Sequence, residues 1–206
     1  METNSKPSIA LHQRGAYVEL RKDSIFMKKE QYEEARLRAL EFYRRAAIVL
    51  TEEESRNLEV ADFGLGDLWN TGLEIVTYIN TEKCCGKEMV LFPGQTCPEH
   101  RHAPFEGYEG KEETFRCRWG EVYLYVEGEA KGDTKGRPPK GSEAHYTVWH
   151  EVVLRPGEQY TIYPNTRHWF QGGPQGAVVS EFSTKSYDEY DIFTDPNIRR
   201  MPEIEG

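Results

Sequence analysis

The feature that most constrains the fold is a series of short, β-rich segments in the second two-thirds of the chain. These segments are rich in Val, Ile, Tyr, Phe and Thr, and Gly, Pro or Asn separates each from the next. They cover residues 73–80, 88–92, 114–119, 121–127, 146–154, 160–163 and 177–183. Many short strands at this spacing predict a sandwich or a barrel, so we expect a mainly all-β fold.

An amphipathic helix is predicted before the strands, at about residues 28–50. Its apolar side chains recur at steps of three and four residues: Tyr32, Ala35, Ala39, Tyr43 and Ala46. This stripe should pack against the sheet. Thr51 and Glu54 have the spacing of a capping box, which predicts a further helical turn at 51–56.

The length of 206 residues suits one sizeable core and is too short for two ordinary domains. We therefore predict an N-terminal arm and helix at 1–56 that packs on the barrel, the barrel itself at 57–191, and a C-terminal tail at 192–206.

The polar stretch at 130–144 is rich in Gly and Pro. We expect it to be a mobile loop and a candidate lid.

Charge and composition narrow the partners and the compartment. The chain has 26 Lys and Arg against 35 Asp and Glu, and no basic stripe suited to a phosphate backbone, so no nucleic-acid partner is expected. The first ten residues lack the apolar segment of a secretory signal, and no stretch approaches the roughly 18 apolar residues of a membrane span. We expect a cytoplasmic protein with no membrane partner and with its four cysteines reduced.

Two histidines one residue apart, His100 and His102, are the strongest local signal. On an extended strand they project from the same face, so their imidazoles converge. Glu113 begins a strand whose inward face is otherwise large and apolar, and a carboxylate at such a place calls for a cation. His168 supplies a third imidazole at the end of a hairpin that starts at residues 156–157.

These pieces resemble the two motifs of the cupin superfamily. The first motif is matched by Gly94, His100, His102, Glu113 and Gly120, and the second by Gly157 and His168. The gap between the second histidine and the glutamate is longer than in the commonest cupins, which indicates an inserted loop at 103–112. The resemblance implies a cupin β-barrel or jelly roll with an N-terminal helical extension, and a divalent metal bound by the three histidines and Glu113.

A closer resemblance covers residues 62–191, most of the chain. The stretches at 61–66, 93–102, 110–118 and 122–129 look like the D-lyxose isomerase family of cupin sugar isomerases. This implies a homodimeric, manganese-preferring ketol-isomerase acting on a small-molecule sugar, which converts D-lyxose to D-xylulose and often D-mannose to D-fructose. Fe²⁺, Co²⁺, Ni²⁺ and Zn²⁺ remain open as the metal.

The chemistry requires a proton carrier beside the metal. An octahedral ion held by four side chains keeps two adjacent positions for the sugar oxygens O1 and O2, and a carboxylate must move the proton between C2 and C1. Glu181 is the first candidate, because strand alternation could aim it into the barrel; the alternative is that it faces solvent. Lys111 could hold a substrate oxygen or aid proton transfer, or it could be a solvated lysine. Further candidates for binding sugar hydroxyls are Asp188, Asp191 and Arg199.

Three other functions stay open on the residues alone. A sugar-phosphate isomerase would use the same metal site, but its phosphate would need cationic ligands, for which the candidates are Lys111, Arg101, Arg116 and Arg167. Three histidines and a glutamate also serve iron-dependent oxygenases. A non-catalytic sugar-binding cupin would not need the metal.

Overall fold

The computed structural model describes residues 26–130, 132–201 and 203–205. The predicted arm before residue 26 lies outside the described residues, as does Lys131 in the polar insertion. The described helices and strands are α1 (Lys29–Arg45), α2 (Glu52–Arg56), β1 (Phe26–Met27), β2 (Glu59–Ala61), β3 (Leu73–Asn80), β4 (Cys85–Leu91), β5 (Thr96–Arg101), β6 (Glu113–Val126), β7 (His150–Leu154), β8 (Gln159–Ile162), β9 (His168–Ser183), β10 (Ile192–Phe193) and β11 (Glu203–Ile204). The mainly β fold predicted from the segment pattern is confirmed.

The long strand β9 organises the sheet. Its first half pairs with β5, its second half pairs with β4, and β6 runs beside both halves. Strands β3 and β2 extend the sheet beyond β4, and β7 and β8 pair with β6, all in antiparallel order. The sheet curls so that one face encloses an apolar core that includes Leu91, Phe115 and Phe170.

Two separate strands were predicted at 114–119 and 121–127, but β6 is continuous through Gly120. This glycine has φ 73°, and a Cβ there would lie 2.1 Å from the carbonyl oxygen of Gly176. The register against β9 shifts on both sides of it. The glycine therefore marks a bend within one strand, which the sequence pattern presents as a break.

The predicted strand at 146–154 starts only at His150. The residues before it bond to a side chain instead of a strand. The carboxylate of Glu99 accepts hydrogen bonds from the Thr147 and Val148 amides and, at 2.8 Å, from the Thr147 hydroxyl. Such a carboxylate satisfies amides that a sheet would otherwise pair.

Helix α1 packs on the outer face of the sheet through the predicted stripe, and its buried residues are Ala35, Ala39, Phe42 and Tyr43. It ends at Arg45, earlier than predicted, because Ala47 adopts φ 57° and the Ile48 amide bonds back to the Tyr43 carbonyl. The capping box between Thr51 and Glu54 is present at the start of α2. Neither described helix has the length and apolar character needed to cross a bilayer.

The described part of the polar insertion lies over a group of aromatic side chains and is held there by hydrogen bonds. The Gly136 amide donates to the Tyr125 hydroxyl at 2.7 Å, and Gln171 Nε2 donates to the Arg137 carbonyl at 2.7 Å. Tyr125 stacks on Trp169 beneath this insertion. No described residue of 130–144 lines the interior cavity of the barrel.

The C-terminal residues lie against the barrel. Strand β10 pairs with β5, opposite Arg101 and His100, and the Arg199 amide donates to the Phe63 carbonyl at 2.8 Å. The last strand, β11, pairs with β1 in parallel. The chain after β9 therefore adds a strand to the edge that carries the first histidine.

Candidate metal centre and catalytic cavity

Three buried histidines meet at one end of the barrel interior. His100 and His168 are directly opposed across β5 and β9, and His102 follows the end of β5. One nitrogen from each ring lies within 4.8 Å of one from each of the others. The ring centroids are 4.3 to 5.3 Å apart. The predicted convergence of the three imidazoles is therefore present.

Each imidazole has its Nδ1 engaged, which orients the opposite nitrogen. His100 Nδ1 lies 2.7 Å from the Pro98 carbonyl, and His168 Nδ1 lies 3.0 Å from the Thr166 carbonyl. A carbonyl accepts only, so each Nδ1 carries the proton and each Nε2 offers a lone pair. Such an arrangement is typical of metal-binding imidazoles.

Glu113 lies beside two of the imidazoles. Its Oε1 lies 3.2 Å from His102 Nε2 and 3.0 Å from His168 Nε2, and its Oε2 lies 2.8 Å from Lys111 Nζ. The side chain is 1% exposed. One carboxylate oxygen therefore lies within 3.2 Å of two of the three imidazoles, whereas Glu113 is not part of the mutually close group that the three histidines form.

The donor set fits a divalent transition metal. His168 Nε2 is buried and, although it lies 3.0 Å from Glu113 Oε1, it makes no hydrogen bond with any described residue. An unsatisfied buried nitrogen is costly, and a cation between the three imidazoles and Glu113 would satisfy it. Three nitrogens and one oxygen suit manganese, iron, cobalt or nickel.

The charges of this cluster stabilise one another. Burial raises the pKa of the Glu113 carboxyl, but the Lys111 ammonium and His102 outweigh burial and hold that pKa well below its usual range. Burial lowers the pKa of Lys111, yet Glu113 and Glu181 hold it well above its usual range. Burial and the neighbouring imidazoles lower the pKa of His100 well below its usual value. The site therefore keeps an ionised carboxylate beside a neutral imidazole.

Glu181 faces the interior of the barrel. It lies opposite Lys87 on β4 and Phe115 on β6, and its side chain is 3% exposed. Its Oε1 is 3.2 Å from Lys111 Nζ and accepts a hydrogen bond from the Ser183 hydroxyl at 2.9 Å. Lys111 is itself buried, so the solvated alternatives for both residues are wrong. Glu112, between Lys111 and Glu113, is exposed.

A second charged group lines the cavity. Lys87 Nζ lies 2.9 Å from both carboxylate oxygens of Asp188, and Arg200 Nη2 lies 3.0 Å from Asp188 Oδ2. Arg200 also pairs with Glu59 on β2. Sequence reasoning missed Lys87 and Arg200. The lysine had a signal, since it alternates with apolar Cys85 and Met89 on a buried strand, but no local pattern marks the arginine.

The three residues proposed to hold sugar hydroxyls occupy different places. Asp188 lines the cavity, but it is paired with Lys87. Asp191 lines it too, and its carboxylate bonds His102 Nδ1. Arg199 is exposed, and its side chain covers Gly64, so the adjacent Arg200 takes the place expected for it.

The cavity has about 360 Å³ of empty space, including the part open to solvent. It is lined by the metal-centre residues His100, His102 and Glu113, by the polar residues Lys87, Lys111, Glu181, Asp188, Asp191 and Arg200, and by the apolar residues Phe63, Leu73, Ile75, Met89, Cys97, Phe115 and Phe170. A compact polar molecule could therefore contact the metal centre, Glu181 and the Asp188 pair together.

Comparison with known proteins finds sugar isomerases among the relatives of this chain. A family model described as D-lyxose isomerase matches residues 43–206. The chain is 63% identical over 179 residues to the D-lyxose/D-mannose isomerase of Thermosediminibacter oceani, covering 87% of this chain and 99% of that protein. It is 62% identical over 179 residues to the D-lyxose ketol-isomerase of Cohnella laeviribosi, covering 87% and 98%.

Solved structures of more distant proteins share the fold. The L-ribose isomerase of Cellulomonas parahominis superposes with a TM-score of 0.73 at 19% identity, covering 87% of this chain and 98% of that one. The L-ribose isomerase of Acinetobacter sp. DL28, solved with L-ribose, gives 0.72 at 18%, covering 88% and 99%. The predicted cupin-type barrel is confirmed by this likeness.

Proposed function

We propose that this chain, which belongs to the D-lyxose isomerase family, uses a bound divalent cation to isomerise two sugars. It converts D-lyxose to D-xylulose and D-mannose to D-fructose. As a member of this family the chain is a sugar aldose–ketose isomerase. The names of its relatives support both sugars, since one is a D-lyxose/D-mannose isomerase.

One observation supports the metal site most strongly: three buried imidazoles converge, and one carboxylate oxygen of Glu113 lies 3.2 Å and 3.0 Å from the Nε2 atoms of His102 and His168. We assign His100, His102, Glu113 and His168 as the ligands. The chemistry that a bound cation supplies is polarisation of the sugar carbonyl and compensation of negative charge on the enediolate oxygens. Manganese is the proposed native metal, as the resemblance to the D-lyxose isomerase family implies; mixed nitrogen and oxygen ligation with open positions suits iron, cobalt and nickel as well.

Glu181 is proposed as the base that carries the proton. Its Oε1 accepts hydrogen bonds from Lys111 and Ser183. Its other oxygen, Oε2, is then the atom that takes the C2 proton, and it returns this proton to C1. The C–H electron pair forms the C1–C2 double bond while the carbonyl pair moves to O1, and the proton of the O2 hydroxyl passes to O1. An O2 electron pair then forms the C2 carbonyl as the double-bond pair takes the proton from Glu181 at C1, which completes the ketose.

Lys111 is proposed to hold this base in place through their ion pair and to donate to a sugar oxygen. It lies between Glu113 and Glu181, at 2.8 Å and 3.2 Å. An ammonium in this position stabilises both carboxylates in a buried site. It also offers a hydrogen-bond donor where negative charge develops on the sugar.

The pair of Lys87 with Asp188, together with Arg200, is proposed to bind the remaining hydroxyls. These side chains line the same cavity as Glu181. A sugar hydroxyl both donates and accepts, so it can bridge a carboxylate and a cation without breaking their pairing.

A phosphorylated sugar fits the cavity less well. Its lining has four carboxylates, Glu113, Glu181, Asp188 and Asp191, against three cationic side chains, Lys87, Lys111 and Arg200. Every one of these cations is already within 3.2 Å of a carboxylate. A phosphate would need cations that are free to pair with it.

We also propose that the protein is a homodimer and that the outer face of the sheet forms its interface. One row of paired residues across β3, β4 and β9 contains Ile79, Gly86 and Phe182. The side chains of Ile79 and Phe182 are about half exposed. Gly86 leaves a groove beside the exposed ring of Phe182. The Phe182 ring of a second copy can enter that groove, as a two-fold interface requires.

Phe182→Lys should therefore convert the dimer to a monomer in light-scattering measurements. A wild-type protein that is itself a monomer would contradict the proposal.

The deciding experiment supplies free D-lyxose, D-mannose and other aldoses to chelator-stripped protein, before and after Mn²⁺ is restored. We expect ketose to form from D-lyxose and D-mannose, only with the metal, and without oxygen uptake. Ketose formed by the stripped protein would exclude the metal role. Turnover restricted to sugar phosphates would exclude the free-sugar assignment, and oxygen consumption would indicate oxygenase chemistry instead.

A further inference from the structure

The three imidazoles of the metal centre are not held in the same way. His100 and His168 each bond the carbonyl of a residue two positions earlier in the chain. His102 instead bonds the carboxylate of Asp191, which lies 89 residues later. One imidazole therefore contacts a remote and charged group, while the other two contact backbone carbonyls close to them in the chain.

We propose that Asp191 is a positioning residue for His102, and that tight metal binding depends on the docking of residues 188–200, which we call the C-terminal clasp. This inference rests on the metal site proposed above. The sequence allowed Asp191 a role in holding the sugar, whereas its contact with His102 assigns it to the metal centre.

A carboxylate at Nδ1 has two effects on a ligating imidazole. It holds the ring in one orientation, with Nδ1 protonated and Nε2 facing the metal, and its charge makes Nε2 a stronger donor. The Asp191 side chain is 7% exposed, so water screens its interaction with His102 only weakly. Backbone carbonyls orient His100 and His168 but contribute no full charge.

The clasp is attached to the barrel at several points, and Asp191 lies among them. Asp188 pairs with Lys87, and strand β10 pairs with β5, which carries His100. Beyond β10, the Thr194 amide donates to the Glu99 carbonyl at 3.0 Å, and the Thr194 hydroxyl donates to the Glu99 carboxylate at 2.6 Å. These contacts bring Asp191 to His102, so undocking of the clasp removes the partner of one ligand.

The coupling must act in both directions. If a docked clasp strengthens metal binding, then bound metal stabilises the docked clasp by the same factor. Amide hydrogen exchange in the clasp should therefore slow when the metal binds.

The test measures Mn²⁺ affinity of chelator-stripped protein by titration calorimetry. Asp191→Ala should bind Mn²⁺ about 10- to 100-fold more weakly than wild type, the usual cost of losing such a partner. Asp191→Asn keeps an oxygen acceptor without the charge, so its loss should be smaller. Glu189→Gln is the matched control: it removes the same charge from an exposed neighbour and should leave the affinity unchanged.

Hydrogen exchange with and without Mn²⁺ gives an independent readout. Metal should slow exchange at residues 188–194 in wild type and in Glu189→Gln, and should do so much less in Asp191→Ala. Equal affinities for wild type, Asp191→Asn and Asp191→Ala would overturn the inference while leaving the metal site intact. A wild-type protein that binds no divalent cation would instead refute the metal role in the proposed function. Circular dichroism of each variant separates these outcomes from loss of the fold.

Discussion

Lys111 and Glu181 form a buried ion pair, with Nζ 3.2 Å from Oε1, although they are 70 residues apart in the chain. One comes from the inserted loop before β6 and the other from β9. Removing either charge leaves the other buried and uncompensated. Substitutions that keep shape are therefore the best tests of their roles.

Glu181→Gln should lower kcat by about 10²- to 10⁴-fold, the usual contribution of a positioned general base. The amide keeps the size of the side chain and cannot take the C2 proton. Metal content should stay at the wild-type level, as measured by elemental analysis beside the ketose assay. Glu112→Gln, at the exposed position between Lys111 and Glu113, should retain activity. A fully active Glu181→Gln would show that another group is the base.

Glu113→Ala and His100→Ala should lose bound metal and activity together. Each removes one of four proposed ligands from a buried site in which neighbouring imidazoles depend on the same ion. Metal content after dialysis and ketose formation are the two measurements. His150→Ala is the control, because His150 bonds the Glu129 carbonyl outside the cavity. Retention of a full metal equivalent by both ligand variants would disprove the ligand set.

Arg200→Ala should raise KM for the sugar by about 10- to 100-fold at saturating Mn²⁺. This range corresponds to a charged hydrogen bond of about 1.5–3 kcal/mol. Arg199→Ala changes the adjacent residue, whose side chain is exposed over Gly64, and should leave KM close to wild type. Equal KM values for the two variants would remove Arg200 from the sugar-binding group.

Glu74 gives a prediction about pH and stability. Burial raises the pKa of this carboxyl to about 8, against the opposing effects of the Gln95 hydrogen bond and of Arg38. A pKa that is higher in the folded state means that the folded protein keeps the proton when the unfolded chain has lost it. The free energy of unfolding contributed by Glu74 is thus complete below about pH 4.5, and it is lost as pH rises through about 8, by about 1.4 kcal/mol per unit.

Glu74→Gln should remove this dependence, because an amide does not titrate in that range. Denaturant unfolding at pH 6 and pH 8 measures it: the wild type should lose about 2 kcal/mol more than the variant over that interval. Glu41→Gln, on an exposed position of α1, should behave as wild type. Parallel pH profiles for wild type and Glu74→Gln would contradict the prediction.

Features that depend on neighbours in the chain were predictable. The apolar stripe of α1 and the capping box at Thr51 follow from helical spacing. The convergence of His100 and His102 follows from strand alternation, and so does the inward direction of Glu181. In each case the geometry of one helix or strand decides which side chains share a face.

Bends in the backbone were harder to predict than which side chains share a face of a helix or strand. Gly120 looked like the end of a strand, but the close approach of Gly176 requires it to be a bend within β6. Residues 146–149 were predicted as strand, but the Glu99 carboxylate takes two of their amides. The partner that decides each conformation lies about 50 residues away, where a local pattern carries no information.

By itself the sequence determined which side chains could face the barrel interior and which of them could bind a metal. Only the tertiary structure decided that Asp191 contacts His102, that Arg200 lines the cavity in place of Arg199, and that Lys87 pairs with Asp188. The physical reason is that alternation along a strand is set by local backbone geometry. Contacts between remote segments depend on the register and curl of the closed sheet, which all of its strands set together.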